Sequence, residues 1–373
     1  MAAKFGVNVT ISAEAARPIS IESITPIGIA GTAQDIEDGL YFYGSVTAAK
    51  EALKEADGSL QKAIEAIYDQ VVETPIILSV FTEGANAGET TTAVINAIQA
   101  FNNAMTEFGY RPNLLIAPEY SSTDAVSAAL QTAAGKLKAT AIIDLSATSE
   151  TDAITKASAF GSRRVLLADP YVKVWDLTAN NYAYAPQSAR IAGMIARVDG
   201  ESEYGWSDSY SNRAIQGIFG TNRPIEFIMG ETCEADRLRS AKISTIIRAE
   251  GWRAWGGETT DQDAIWQDLA RVRVFDRISE ACQKGVFFAI DKKADQLFYA
   301  KQSVEELLRN LTGSKVLIGY EVTWSKTKNT QATVTAGKFY LDVRMQNNPI
   351  VKVLELDFIY SDAWSEELLS NLG

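Results

Sequence analysis

A chain of 373 residues with 46% hydrophobic residues is long enough to bury two or three cores, and its formal net charge of −12 argues against a general nucleic-acid binder, which needs a basic face. It has no histidine, so Ser-His-Asp and Cys-His mechanisms are excluded within it, and so is the commonest metal ligand. Its two cysteines, Cys233 and Cys282, lack CxxC spacing; they read as small buried hydrophobes of a reducing compartment, not as a disulfide framework or zinc site.

The first segment, Phe5 to Ile11, alternates: Phe5, Val7, Val9 and Ile11 share one strand face, Asn8 and Thr10 the other. Ser12 to Pro18 is small and polar, with no core pattern. A terminal strand without a sequence neighbour must pair with something distant or with another chain. Met1 to Thr10 carries no signal-peptide pattern, and no apolar run reaches bilayer-spanning length.

From Ile19 to about Tyr184 the chain reads as repeated strand then helix. Strands are expected at Pro26–Gly31, Pro75–Phe81, Asn113–Ala117, Ala139–Leu145 and Arg163–Ala168. Helices are expected at Thr47–Glu55, Leu60–Val72, Thr90–Phe108, Thr123–Lys136 and Thr151–Phe160. This alternation implies an α/β layer with a mostly parallel sheet.

Beyond Pro186 the character changes to mixed α+β, with a boundary placed near 185. Helices are expected at Gln187–Val198, Glu234–Ile247, Gln267–Gln283 and Ser303–Leu311. An antiparallel meander is expected from Val316–Trp324, Gln331–Thr335 and Lys338–Val343. At the end, Leu354, Leu356, Phe358 and Tyr360 lie on one strand face, followed by a short amphipathic helix with Trp364, Leu368 and Leu369.

No phosphate loop, dinucleotide fingerprint, nucleophile elbow or calcium loop occurs. Gly84 to Thr90 joins a strand to a helix, where α/β folds bind ligands, but a plain loop with Thr90 capping the helix is the favoured reading. Acid runs such as Asp35/Glu37/Asp38 and Glu305/Glu306 read as solvated faces. Arg237, Arg239, Lys242 and Arg248, the arginines 271, 273 and 277, and Lys292 and Lys293 make one locally basic stretch. It reads either as paired surface charge or as a contact strip for an acidic partner.

Tyr184 to Asp199 resembles a signature of contractile-tail sheath proteins, in which Pro-x-Ser opens a helix carrying Ala-Gly and ending in Arg-x-Asp. Gly205-Trp206-Ser207 and Asn212 fall where the family has Gly-Val-Trp and Pro-x-Asn segments. Gly251 to Thr260 resembles Gly-x-x-x-Trp-Gly-x-Arg-Thr, with Glu258 standing where the family usually has Arg, a reversal of charge. Trp266 to Ile278, Asn329-Thr330 and Gly337-Lys338-Phe339 follow in family order, so the resemblance covers roughly residues 184 to 360.

The resemblance implies a structural subunit, not an enzyme, with no cofactor and no metal. Its fold would be an α/β and α+β two-domain body with strand arms: 1–20 an N-terminal arm, 21–185 an outer α/β domain, 186–349 a tube-proximal core domain, 350–373 a C-terminal arm. Subunits would stack as hexameric rings around a tail tube, with baseplate and terminator proteins at the ends and no nucleic-acid or membrane contact. Contraction from a metastable extended state would drive the tube through an envelope. Assembly would take place in the host cytoplasm and the mature site would be the virion. The arm strands would be Phe5, Val7, Val9 and Ile11 at one end and Leu354, Leu356, Phe358 and Tyr360 at the other. Arg237, Arg239, Lys242, Lys292 and Lys293 would form the tube-facing strip. A single chain carrying both halves points to a phage tail or phage-derived bacteriocin. Two readings compete: an α/β enzyme or ligand binder with an unrecognised site, eluting as a small oligomer, and another tail component such as a baseplate protein, closing into a ring.

Overall fold

The computed structural model describes residues 17–176 and 179–372. The expected strand Phe5, Val7, Val9 and Ile11 lies outside the described residues.

Short apolar runs buried on both sides need a helix layer on each face. The first half supplies them in order: β1 (Ile27–Gly31), β2 (Gly39–Tyr43), α1 (Val46–Ala52), α2 (Ser59–Tyr68), β3 (Ile76–Val80), α3 (Ala87–Ala100), α4 (Ala104–Phe108), β4 (Leu114–Ile116), α5 (Asp124–Leu137), β5 (Thr140–Asp144), α6 (Glu150–Ala157) and β6 (Val165–Ala168). The hairpin β7 (Val172–Asp176) and β8 (Asn181–Ala185) leads into α7 (Ser188–Gly200) and the short β9 (Gly220–Thr221). Then come α8 (Glu234–Ser240), β10 (Ile243–Arg248), β11 (Trp252–Trp255), α9 (Leu269–Val286), α10 (Gln296–Gly313), β12 (Leu317–Trp324), α11 (Gln331–Thr335), β13 (Leu341–Asn347) and α12 (Ser365–Leu372).

Eight strands form one sheet in the order β11-β10-β6-β5-β4-β1-β3-β2. The six inner strands run parallel, and β2 and β11 close the edges antiparallel. Period-two alternation sends successive residues to opposite cores. Ile76 and Leu78 pack with α1, α2 and α7; Ile77 packs with Val94, Ile98 and Phe101 on the far face. Each such fully buried aliphatic side chain contributes about 2 kcal/mol of transfer free energy. A third core, around Trp206, joins α9, α10 and the β12–β13 hairpin.

The structure departs from the sequence reading in definite places. The sheet runs past the expected boundary near 185, because β10 pairs in parallel with β6, Ile243 opposite Leu167. Glu234–Ile247 is a helix only to Ser240: Lys242 takes a left-handed φ of 67°, and the β-branched run that follows is a buried strand. Gln331–Thr335 is helical, not a strand, because Thr330 and Thr333 form a reciprocal capping box. Thr90–Phe108 is interrupted by a 3-10 turn at Phe101–Asn103. Leu354, Leu356, Phe358 and Tyr360 have no ladder partner among the described residues.

Candidate assembly surfaces

The sheath-like helix motif becomes α7. Within it, Gly193 lets α2 approach closely: a Cβ there would sit 2.9 Å from Gln70 Cβ and 3.1 Å from the Ile67 carbonyl. The motif's acid, Asp199, ends α7 almost fully buried and accepts Arg273 and Arg277, both from α9, together with the Thr25 hydroxyl. Burial, then the neighbouring Arg273, push the Arg277 guanidinium down to about 10 despite Asp199.

Arg277 also donates to the carbonyls of Glu22 and Ile24. The chain before β1 is therefore strapped along α9. Lys284 pairs with Glu22 at 3.2 Å, and the Arg17 guanidinium lies 4.4 Å from the Phe288 ring centre. Ile19 sits against Gly285, where any Cβ would collide with it.

A second node forms around Glu258, on the loop after β11. Both its oxygens accept Arg239 from α8, at 3.0 to 3.2 Å, and Gly257 donates its backbone N–H at 2.8 Å. Lys352 Nζ reaches it at 2.9 Å. Burial alone would raise the Glu258 carboxyl, but the two cations outweigh it and hold it below its usual range. The charge reversal noted in the sequence thus has its own partners inside the chain.

The basic stretch divides. Arg237 pairs with Glu150 of α6, Nε to Oε1 at 2.6 Å, and Arg239 is bound at Glu258 and lies over Trp255. Lys242 is half-buried at the exit of α8. Lys292 and Lys293 are exposed on the turn between α9 and α10, with exposed Phe287, Ile290 and Phe298 nearby in the chain. Sequence spacing could not separate these groups, since the pairing acids Glu150 and Glu258 lie on other elements.

From Val351 to Leu372 every residue is exposed, including Phe358 at 94%. Among the described residues, Lys352 ties this segment to the body through its ammonium group on Glu258. Beside it, β12 and β13 form a two-stranded sheet with no third strand among the described residues.

The Gly84–Thr90 loop is occupied by its own side chains: Asn86 caps α3 by accepting the Glu89 N–H, and Glu89 accepts the Ala85 N–H. The crevice at the carboxyl ends of β1, β3 and β4 is lined by Asp35, Glu37, Asp57, Glu83 and Glu119 against Lys62 alone. That polarity repels phosphates. Among the described residues no group of three or more His, Cys, Asp or Glu could hold a metal ion, and no helix is long and apolar enough to cross a membrane.

The profile of the phage tail sheath protein central domain matches residues 87–260. A putative prophage major tail sheath protein of Pseudomonas aeruginosa (strain UCBPP-PA14) is 35% identical over 325 residues, 83% of each chain. The tail sheath protein of Escherichia phage P2 is 24% identical over 393 residues, covering 99% of this chain and 98% of that one. The contracted helical sheath of the anti-feeding prophage superposes with a TM-score of 0.74 at 19% identity, over 97% of this chain and 100% of that one. The contracted sheath of the PVC extracellular contractile injection system gives 0.71 at 18%, over 97% and 99%.

Sequence kinship defines the class, a phage tail sheath protein, and the fold agrees with it. The chain belongs to the phage tail sheath family.

Proposed function

We propose that this chain polymerises as helically stacked hexameric rings around a tail tube and contracts from a metastable extended state, a mechanical and not a catalytic role. Neighbours are linked by strand exchange: the segment 353–360 of one copy adds to the β12–β13 sheet of another, and the N-terminal segment does the same elsewhere in the lattice. The observation that carries this reading is the C-terminal segment itself. Its apolar side chains are exposed and, among the described residues, its backbone has no ladder partner and the β12–β13 sheet that precedes it in the chain has no third strand. Added strands would satisfy both, at about 1 kcal/mol net per main-chain hydrogen bond.

The tube contact falls on Lys292 and Lys293, since Arg237 and Arg239 already have carboxylate partners. Baseplate and terminator proteins meet the ends of the polymer; the superposed structures include an anti-feeding prophage baseplate. Assembly takes place in the host cytoplasm, and the mature location is the virion or a tail-like particle. Negative-stain microscopy of the purified protein tests the reading. Tubes are expected from the full chain and a soluble folded monomer after deletion of residues 1–15; tubes from the deleted chain would refute the role of that arm.

A further inference from the structure

We infer that α12 of one copy docks on the basic knob closing the β12–β13 hairpin of a second copy, locking the exchanged strand in place. This rests on the strand-exchange reading above.

The helix is built to be covered. At 100° per residue, Trp364, Leu368, Leu369 and Leu372 fall on one face, and Glu366 and Glu367 flank it on either side. Asp362 precedes it. All four apolar side chains are exposed in the isolated chain, so its own body does not cover them. The occupant must therefore offer apolar surface ringed by positive charge.

The hairpin knob offers that. No acid occurs between Glu321 and Asp342, whereas Lys326, Lys328 and Lys338 all lie there and are exposed. In the same segment Val334, Phe339 and Tyr340 present apolar surface. The knob is rigid: Asn329 donates to the Tyr340 carbonyl at 2.8 Å and accepts its N–H at 2.9 Å, and the Thr330 cap fixes α11. Lys328 has only a 4.0 Å contact with Asp342 competing for it.

Chain length agrees. Residues 353–360, at about 3.3 Å each, span roughly 26 Å, the length of the eight-residue β12. An added strand antiparallel to β13 runs toward the hairpin turn, because β13 runs away from it. It therefore delivers residue 361 to the knob, with α12 starting four residues later.

Polymerisation of purified protein without tube tests this, using chains 1–373, 1–360 and 1–349. The 1–360 chain should polymerise with a critical concentration raised about tenfold, and E366K/E367K should do the same. Combining E366K/E367K with K326E/K328E/K338E in one chain should restore it to within about twofold. An unchanged critical concentration for 1–360, or a combined variant worse than either set alone, overturns the docking. So does an effect seen only when tube is added, which would make the tube protein the occupant. The 1–349 chain should form no tubes; if it does, strand exchange itself fails. If 1–349 fails while 1–360 matches the full chain, the docking alone is refuted.

Discussion

Lys352 Nζ lies 2.9 Å from Glu258 Oε1, so the root of the C-terminal segment is pinned to the loop that follows the edge strand β11. The same carboxylate holds Arg239, and the two cations are not equivalent: Arg239 is largely buried, Lys352 more than a third exposed.

Removing the shared carboxylate should therefore cost more than removing the exposed cation. Glu258→Ala leaves Arg239 without its anion and should destabilise the body by about 2 kcal/mol. Lys352→Ala should change it by less than about 1 kcal/mol. Urea unfolding of both variants checks this; equal losses would show that Lys352, not Arg239, dominates the node.

Asp199 offers a sharper case, because two arginines from α9 depend on it. Asp199→Asn should destabilise by about 3 to 5 kcal/mol. It should also speed hydrogen exchange in residues 19–25, since Arg277 would lose the anchor that holds it against their carbonyls. A stable variant with an unchanged strap would remove Asp199 from the role assigned to it.

Gly285→Val fills the seat of Ile19 while leaving the third core in place. The unfolding midpoint should move little, and proteolysis between residues 17 and 24 should accelerate several-fold over the parent chain. Unchanged cleavage would mean that Ile19 is not what holds the strap.

Acid should stabilise the body before it destabilises it. Burial pushes the Asp144 and Asp169 carboxyls up to about 6, against hydrogen bonds to Asp144 from the Ser188 and Ser121 groups and against the Arg223 charge beside Asp169. A raised carboxyl favours the protonated fold. Its stabilisation is complete below pH 4 and lost as pH rises through about 6, on the order of 2 kcal/mol for Asp144 and less for Asp169, where protonation gives up the ion pair with Arg223. Glu258, held low, acts oppositely: its contribution is present above the ordinary carboxylate range and is lost as pH falls through its depressed pKa. The melting temperature should thus be higher near pH 5 than at pH 7.5, and Asp144→Asn should flatten that difference.

Charge reversal at Lys292 and Lys293 should weaken co-sedimentation with tube without lowering the melting temperature. Reversal at Arg237 should instead lower stability through its lost pairing with Glu150. Undiminished tube binding by the lysine variant would move the contact off this turn.

Much of this was legible in residue order. Both-faces-buried runs such as Ile76–Val80 announced inner parallel strands, whereas the alternating apolar residues Leu354, Leu356 and Phe358, read as a strand, lie exposed and outside every sheet among the described residues. The 184–199 signature announced the family, and α7 stands where it was expected. The strand at Ile243–Arg248 was harder, because an amphipathic helix of matching apolar spacing runs directly into it and only the turn at Lys242 separates them. The division of the basic stretch was illegible for a different reason: charge pairing depends on which acid is near in space.

The sequence by itself determined the absence of histidine chemistry, the strand–helix alternation that makes the central sheet, and the apolar alternation over residues 354–360. These follow from residue type and period, which act over a few neighbouring positions. Only the tertiary structure decided that the sheet takes strands from both halves, that Asp199 and Glu258 gather cations from distant helices, and that Arg237 and Arg239 are paired with Glu150 and Glu258. Those outcomes depend on long-range packing, in which a buried charge must find its partner wherever the fold brings one.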